Sequence, residues 1–320
     1  MPYKIIISIC LTIALGSVII LSCSSPQQIQ FKSRAESIPA GAVKISPAID
    51  AIPPKLVSSE YKTPVPLDEG INTAGAEDSA FVLPDGKMIY FFFTPDCSIP
   101  AEKQLTDGAT GIYVSQKQGN SWTQATRLIL QDQNEVALDG CACARGDTLW
   151  FCSARKGNYR GVDMWIAQHK DGKWKWSNAG EKLNSEYQIG EMHITADGSR
   201  MYFHSARTGG QGGLDIWVTY RSGENWRQPE NVSAVNSAED EGWPFLTEDG
   251  KELWFTRTYL GSPAVFRSKR DGGNWGKPEL IISQFAGEPS LDSAGNVYFT
   301  HHYFKDNKMI EADIYVAYRK

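Results

Sequence analysis

The sequence has no excess of positive charge. Its 320 residues include 32 lysines and arginines against 37 aspartates and glutamates, so the formal net charge is −5. A surface with this balance has no general attraction for the phosphates of nucleic acids. We therefore expect no nucleic acid as a partner. Disorder is also excluded, because 41% of the residues are apolar and 11% are aromatic.

Long hydrophobic runs are scarce, and the clearest one stands at the start of the chain. It covers residues 5–21 and follows Lys4. A cation, an apolar segment and then small residues are typical of a secretory signal. The tetrad Ile20-Leu21-Ser22-Cys23 resembles a bacterial lipobox, in which the cysteine is lipidated and becomes the first residue. We predict a lipoprotein signal peptide over residues 1–22 and a lipid on Cys23.

The next segment, residues 23–54, has little periodicity and is rich in Ser, Pro, Ala and Gln. This composition predicts a flexible tether that holds the remaining domain away from a bilayer. The chain is then exported and anchored by lipid to the cell envelope, on the periplasmic or surface side of an outer membrane. An uncleaved membrane anchor is the alternative, and it leaves the domain on the same side of a membrane.

Residues 55–320 repeat an apolar-aromatic strand five times. The repeated strands are KMIYFFF, DTLWFCS, SRMYFHS, KELWFTR and GNVYFTH. Their central aromatic residues are separated by 60, 52, 52 and 44 positions. Such spacing fits four strands and their turns, so the pattern predicts repeated all-β units.

Turn signals support this interpretation. Asp-Gly pairs precede three of these strands, at 85–86, 197–198 and 249–250, and such pairs are typical of tight hairpins. The fifth repeat lacks its fourth strand. Residues 58–78, which precede the first repeat, align with residues 222–240, which contain the fourth strand of the third repeat. We therefore predict a five-bladed β-propeller in which an amino-terminal strand completes the last blade, and an open row of sheets is the alternative.

The repeats also resemble a known family. The segments GEMHITADGSRMYFHSARTGGQGGLDIWV and EDEGWPFLTEDGKELWFTR are similar to the WD40-like, TolB-type β-propeller repeats of bacterial envelope proteins. The resemblance covers residues 55–320. It implies an extracytoplasmic propeller that serves as a binding or assembly module for an envelope protein or a glycan. A propeller is a scaffold, so the resemblance does not define a single function.

An acidic residue precedes or opens the first strand of every repeat. These residues are Asp78, Asp139, Glu191, Glu241 and Glu288, and Glu77 lies beside the first of them. The first strand of a propeller blade lines the central channel, so the carboxylates can converge there and hold a cation such as Ca²⁺. The alternative is that each carboxylate braces the connection between two blades.

A glycoside hydrolase is the alternative function. Five-bladed propellers include glycoside hydrolase family 43, which takes an Asp, an Asp and a Glu from successive inner strands. Asp78, Asp139 and Glu191 occur in that order here, and such a reaction requires a general acid and a general base. The sequence around them does not otherwise match that family.

Two further groups are candidates for ligand binding. His193 and His204 lie on the first and second strands of the third repeat, near Glu191, and His301 and His302 lie at the end of the second strand of the fifth repeat. Arg155 and Arg207 follow the second strand in equivalent Ser-Ala-Arg segments, where an arginine can bind a carboxylate through two hydrogen bonds. The alternative is that these arginines pair with an aspartate of the next strand, Asp163 or Asp215.

Few cysteines remain after processing. Cys97, Cys141, Cys143 and Cys152 are left in an oxidising compartment, where disulfides among them are expected and three pairings are open. A metal or a reactive thiol pair is the alternative. Cys141 and Cys143 are expected on one strand face, too close in sequence to bond with each other.

Overall fold

A computed structural model describes residues 30–320 as an all-β fold, with 48% strand and 5% helix. The predicted signal peptide (residues 1–22) and the predicted lipidation site at Cys23 lie outside the described residues. Within residues 30–320, no helix has both the length and the apolar character that crossing a bilayer requires.

The strands are numbered in chain order. The first seven are β1 (Lys55–Leu56), β2 (Val65–Pro66), β3 (Ala76–Val82), β4 (Met88–Thr94), β5 (Gly111–Gln118), β6 (Ser121–Trp122) and β7 (Thr126–Arg127). The next nine are β8 (Ala137–Arg145), β9 (Thr148–Arg155), β10 (Asp163–Lys170), β11 (Lys173–Asn178), β12 (Met192–Ile194), β13 (Arg200–Ser205), β14 (Asp215–Ser222), β15 (Asn225–Trp226) and β16 (Glu230–Asn231). The last eight are β17 (Glu241–Leu246), β18 (Glu252–Tyr259), β19 (Ser262–Asp271), β20 (Asn274–Trp275), β21 (Glu279–Ser283), β22 (Ala286–Leu291), β23 (Val297–Lys305) and β24 (Lys308–Ala317). Residues 30–320 also contain three short helical segments, which are α1 (Arg34–Ser37), α2 (Ala101–Gln104) and a π-helical turn (Lys182–Glu186).

Each predicted repeat forms an antiparallel unit of three consecutive strands, of which the first strand of the third repeat, β12, has only three residues. The units begin at β3, β8, β12, β17 and β22, and we call them units 1 to 5. The predicted fourth strand is continuous only in unit 2, as β11. In units 1, 3 and 4 it is split into two short pieces that both pair with the third strand. Proline contributes to the split in units 3 and 4, because Pro229 and Pro278 have no backbone N–H to donate.

Each Asp-Gly turn contains one residue with positive φ rather than the two that a type I′ hairpin turn requires. Only the glycines adopt positive φ, at 68° for Gly86, 66° for Gly198 and 68° for Gly250. Each glycine N–H donates to the carbonyl three residues earlier. The aspartate before it accepts a hydrogen bond from the N–H two residues later, as Asp85 does from Lys87 at 3.0 Å. The aspartate side chain therefore stabilises the turn, and the glycine supplies the left-handed residue.

The amino-terminal segment pairs with the last strand of the chain. Val65 of β2 lies opposite Val316 of β24, and Tyr61 forms a bridge with Arg319. The Asn72 side chain binds both backbone groups of Ile314, at 2.9 Å each. Asn184 and Asn236 bind the third strands of units 2 and 3 in the same way. An asparagine side chain thus binds the backbone of the third strand in units 2, 3 and 5. In units 2 and 3 the asparagine follows its unit in the chain, whereas in unit 5 it comes from the amino-terminal segment.

The first strands of the units meet at the middle of the molecule. β3 contacts β8, β8 contacts β12, β12 contacts β17, β17 contacts β22, and β22 contacts β3. Units 5 and 1 are also joined by a parallel bridge between Ala312 and Ala76, which merges them into one nine-stranded sheet. Aromatic residues of the second and third strands, such as Phe91, Phe151 and Phe255, are fully buried in the core.

Residues 30–54, within the predicted flexible tether, pack against units 1 and 5. Arg34 of α1 is buried and donates to Glu77 at 3.2 Å. Lys44 forms ion pairs with Glu311 and Asp313 in the middle of the third strand of unit 5. The composition predicted flexibility, but buried acidic residues on the domain give this polar segment specific partners.

No disulfide links any two of Cys97, Cys141, Cys143 and Cys152, so the expected disulfides are not formed. Burial raises the pKa of Cys97 and of Cys143 to about 11, which keeps both thiols protonated at neutral pH. A β-bulge between Gly140 and Cys143, with Cys141 at φ 56°, separates the two cysteines that the sequence placed on one face. Both residues belong to the same buried hydrophobic cluster, and Cys141 also borders a small cavity between the first strands.

Candidate functional site

A small cavity of about 40 Å³ lies where the five first strands meet. We call it the central cavity. Its lining comes from all five units and consists of Ser79, Ala80, Phe81, Cys141, Ala142, Glu191, Met192, His193, Trp243, Pro244, Phe245, Glu288, Pro289 and Ser290. This volume has room for water or an ion.

A β-bulge directs the lining residues inward in four of the five units. Ser79, Cys141, Trp243 and Glu288 occupy the same position in their strands and have φ between 49° and 58°. This left-handed conformation is uncommon for residues other than glycine, and bulges of this kind re-aim side chains near functional sites. Glu191 holds the equivalent position in unit 3.

The predicted acidic residues occupy three different positions relative to this bulge. Asp139 and Glu241 lie two residues before it, together with Glu77. Asp78 lies one residue before it, and Glu191 and Glu288 occupy the bulge position itself. The acids therefore do not form one regular ring around the centre.

The three acids of the first position bind groups of the fold. Glu77 pairs with Arg34, Asp139 with Arg155 and Glu241 with Arg257, and all three carboxylates are buried. Glu77 also accepts from the N–H of Thr73 at 2.9 Å, and Glu241 accepts from that of Ser237 at 2.8 Å. These contacts connect the first strands of units 1 and 4 to the preceding segment of the chain, whereas Asp139 binds Ser153 and Arg155 of the second strand in its own unit.

Burial dominates the electrostatics of these three acids. It raises the pKa of Glu77 to about 7 and moves the pKa values of Asp139 and Glu241 upward, although the neighbouring arginines oppose the shift. Of the three residues proposed as catalytic, Asp139 is thus held in an ion pair. Asp78 lies beside Glu288, and Glu191 is the member that lines the central cavity.

The two equivalent arginines have different surroundings. Arg155 binds Asp139, Ser153 and the carbonyl of Leu130, so its guanidinium group is engaged within the fold. Arg207 stacks over Trp217 with 5.0 Å to the ring centroid, and its Nη1 is buried without a hydrogen-bond partner in residues 30–320. The cause is a substitution in unit 3, where Ile189 stands at the position of Asp139.

The expected pairing of these arginines with the next strand is wrong. Asp163 accepts instead from the backbone N–H groups of Tyr159 and Arg160, and Asp215 accepts from those of Gln211 and Gly212. Both aspartates close the glycine-containing loop that follows the second strand. That arrangement leaves the arginines to other partners.

Glu191 lines the central cavity and accepts a hydrogen bond from an aromatic neighbour. The indole Nε1 of Trp243 donates to Glu191 Oε1 at 2.7 Å. The His204 ring lies between the two strands, with Nε2 3.3 Å from the Glu191 backbone nitrogen and Nδ1 3.2 Å from that of Trp243. Burial lowers the pKa of His204 to about 4, so the ring is neutral at pH 7.

His193 faces the central cavity from unit 3 and is buried. Its Nε2 lies 2.9 Å from Arg145 Nη2, and its ring packs edge-on against Phe245 at 4.5 Å between centroids. Burial, and then the charge of Arg145, lower the pKa of His193 well below its usual range. The neutral ring therefore accepts the arginine hydrogen bond at Nε2, and its Nδ1 has no partner among the described residues.

A mixed cluster of Asp78, Glu288 and His302 joins units 1 and 5. Their ligand atoms lie within 4.8 Å of one another, and it is the one such group of three found in residues 30–320. His302 Nε2 is 3.9 Å from Asp78 Oδ1. The backbone N–H of Ser79 donates to Asp78 at 2.7 Å and to Glu288 at 2.8 Å. Burial lowers the pKa of His302, which keeps the imidazole neutral.

Sequence reasoning missed several contacts of this centre. Arg34 and Arg145 carry no pattern that points to Glu77 or His193, since their positions depend on the docked segment and on the neighbouring unit. Trp243 had a signal, because it occupies the same repeat position as Glu191 and Glu288. That equivalence becomes visible only when the bulge fixes the register.

No protein-family profile and no curated protein sequence matches the chain. Among solved structures it is similar to TolB from Acinetobacter baumannii, with 14% identity and a TM-score of 0.41, over 73% of this chain and 50% of that one. It is similar to an endo-arabinase from Bacteroides thetaiotaomicron VPI-5482, with 15% identity and a TM-score of 0.47, over 80% and 96% of the two chains. It is also similar to the Bacteroides ovatus xyloglucan PUL GH43B, with 12% identity and a TM-score of 0.48, over 79% and 54%. The chain spans half the length of the A. baumannii protein, and similarities at this level do not separate an envelope protein from a glycoside hydrolase.

Proposed function

We propose that residues 55–320 form a five-bladed propeller, closed by β2, that serves as a lipid-anchored binding or assembly module of the cell envelope. Three observations support the ring. The first strands contact one another in cyclic order, β2 pairs with β24, and Asn72 repeats the role of Asn184 and Asn236. Export and lipidation at Cys23 rest on the amino-terminal sequence.

The observation that carries the binding function is the setting of Arg207. Its guanidinium group stacks on Trp217 and lies 5.7 Å from the Tyr187 ring centroid. Arg155 at the same repeat position is bound to Asp139, whereas Arg207 has no carboxylate partner in the described region. An arginine oriented by aromatic rings is suited to a carboxylate or a sugar hydroxyl. The proposed ligand is therefore a protein or glycan with an acidic group.

A glycan-array measurement on the full-length chain tests this function. Binding to acidic glycans is expected, and Arg207→Ala should weaken it about tenfold or more, because a charged hydrogen bond contributes about 1.5–3 kcal/mol. Arg227→Ala is the matched control, since the Arg227 side chain is exposed beside the same unit. Equal binding by both variants would contradict the assignment, and an acidic peptide array applies the same test to a protein ligand.

One observation favours the glycoside hydrolase as a second candidate. Glu191 lines the central cavity beside the indole of Trp243, and a carboxylate next to an aromatic ring is a common arrangement for sugar binding. A reducing-end assay on plant and bacterial polysaccharides separates the two functions. Release of sugar that is lost in Glu191→Gln and kept in Glu224→Gln, an exposed hairpin residue, would establish the hydrolase.

A further inference from the structure

We propose that Asp78, Glu288 and His302 bind one divalent transition-metal ion that cross-links units 1 and 5. Asp78 belongs to β3 of unit 1, whereas Glu288 and His302 belong to β22 and β23 of unit 5. The ion would thus connect the first and the last unit of the chain. This site does not depend on the ligand proposed for Arg207.

The distances within the cluster suit a shared ion better than direct hydrogen bonds. His302 Nε2 and Asp78 Oδ1 are 3.9 Å apart, beyond hydrogen-bond range. Two ligands placed about 2.0–2.2 Å from a common metal are separated by about 3–4 Å. All three ligand atoms lie within 4.8 Å of one another, so small rotations of the side chains complete the site.

Hydrogen bonds from the surrounding groups hold the three side chains of the cluster in place. The Ser79 N–H binds both carboxylates, and Thr300 Oγ1 donates to Glu288 Oε2 at 3.0 Å. His302 Nδ1 lies 3.4 Å from the carbonyl of Phe285. When Nδ1–H donates to that carbonyl, Nε2 presents its lone pair toward Asp78. Metal-binding histidines commonly use the second ring nitrogen in this way.

The burial of the cluster also fits a bound ion. Asp78, Glu288 and His302 are 3%, 6% and 4% exposed. The two carboxylates and the imidazole supply oxygen and nitrogen donors of the kinds that bind a divalent transition metal. Water is largely excluded, so the ion would be held by protein groups with at most a few water ligands.

The donor set selects the kind of metal. Ca²⁺ takes six to eight oxygen ligands, whereas an imidazole nitrogen with two carboxylates suits Zn²⁺ and other first-row transition metals. The Ca²⁺ expected from a ring of carboxylates is therefore replaced here by a transition metal. Asp139 and Glu241, which that ring required, are occupied by Arg155 and Arg257.

Metal binding by the full-length chain tests the proposal. The protein is stripped with a chelator, loaded with Zn²⁺, desalted and measured for metal content, and titrations with Zn²⁺, Mn²⁺ and Ca²⁺ follow by calorimetry. We expect one Zn²⁺ per chain, weaker Ca²⁺ binding, and a higher unfolding temperature in the presence of Zn²⁺. Asp78→Asn, Glu288→Gln and His302→Gln should each weaken Zn²⁺ binding at least tenfold.

His169→Gln is the matched control, because it removes an exposed histidine from unit 2. Its Zn²⁺ affinity and stoichiometry should equal those of the unaltered protein. Unfolding curves recorded in chelator show whether each variant folds, and Asp78→Asn, which preserves side-chain shape, is decisive if His302→Gln does not fold. Absence of Zn²⁺ binding, preference for Ca²⁺, or unchanged Zn²⁺ affinity in Asp78→Asn would each overturn the site.

Discussion

At the scale of single residues, the acidic side chains of the first strands differ in the residues that they bind. Glu77, Asp139 and Glu241 each bind an arginine. Asp78 and Glu288 instead adjoin His302. A buried carboxylate is costly unless it is paired or hydrogen-bonded, so the arginines beside Glu77, Asp139 and Glu241 offset the cost of burying these three acids.

The Arg155–Asp139 pair should contribute strongly to stability. Arg155→Ala leaves the buried Asp139 carboxylate without its cation, and we expect the free energy of unfolding to fall by about 3–5 kcal/mol. Arg207→Ala at the equivalent position removes stacking on Trp217 but no ion pair, so its loss should be about 1–2 kcal/mol. Urea denaturation of both variants measures the difference, and equal losses would contradict the bracing role of Asp139.

At the scale of elements, hairpins were predictable and bulges were not. The Asp-Gly turns follow from local chemistry, because the glycine supplies positive φ and the aspartate accepts a nearby N–H. The bulges at Ser79, Cys141, Trp243 and Glu288 contain no glycine at the left-handed position, so the sequence gives no local sign of them. They depend on packing among the five first strands. For this reason the acids could be identified but their register could not.

The docking of residues 30–54 onto unit 5 should depend on pH through Glu311. Burial raises the pKa of its carboxyl from 4.5 to about 7 although Lys44 opposes the shift. Between these values the folded protein holds a proton that the unfolded chain has released. The free energy of unfolding should therefore decrease as pH rises from about 4.5 to 7.

Glu311→Gln should flatten this pH dependence by about 1–3 kcal/mol, because the amide has no proton to lose. Thermal or urea unfolding at several pH values measures the profile. Burial also raises the pKa of Asp313, so the free energy of unfolding of the variant should still decrease with rising pH, but by less. Glu224→Gln, an exposed carboxylate, serves as the control, and a profile equally steep in Glu311→Gln and the unaltered protein would refute the assignment.

At the scale of the whole molecule, the spacing of the repeats predicted five units. It also predicted that an amino-terminal strand completes the last unit, because the fifth repeat lacks a fourth strand and the segment before the first repeat resembles one. The pairing of Val65 with Val316 agrees with that expectation. The packed state of residues 30–54 could not be predicted in this way, since it depends on single pairs such as Lys44 with Glu311 rather than on a repeated pattern. The cluster that joins units 1 and 5 likewise arises only when the two ends meet.

Oxidative cross-linking of Val65→Cys/Val316→Cys tests the closed ring most directly. The two positions face each other between β2 and β24, so an intramolecular disulfide should form rapidly and raise the unfolding temperature. The matched pair Val65→Cys/Val218→Cys places the second cysteine at the corresponding strand position of unit 3 and should not cross-link within a chain. Peptide mass spectrometry of the oxidised monomer is the measurement: a Val65–Val316 linkage is predicted, and its absence, or its formation only between chains, would contradict the closed ring.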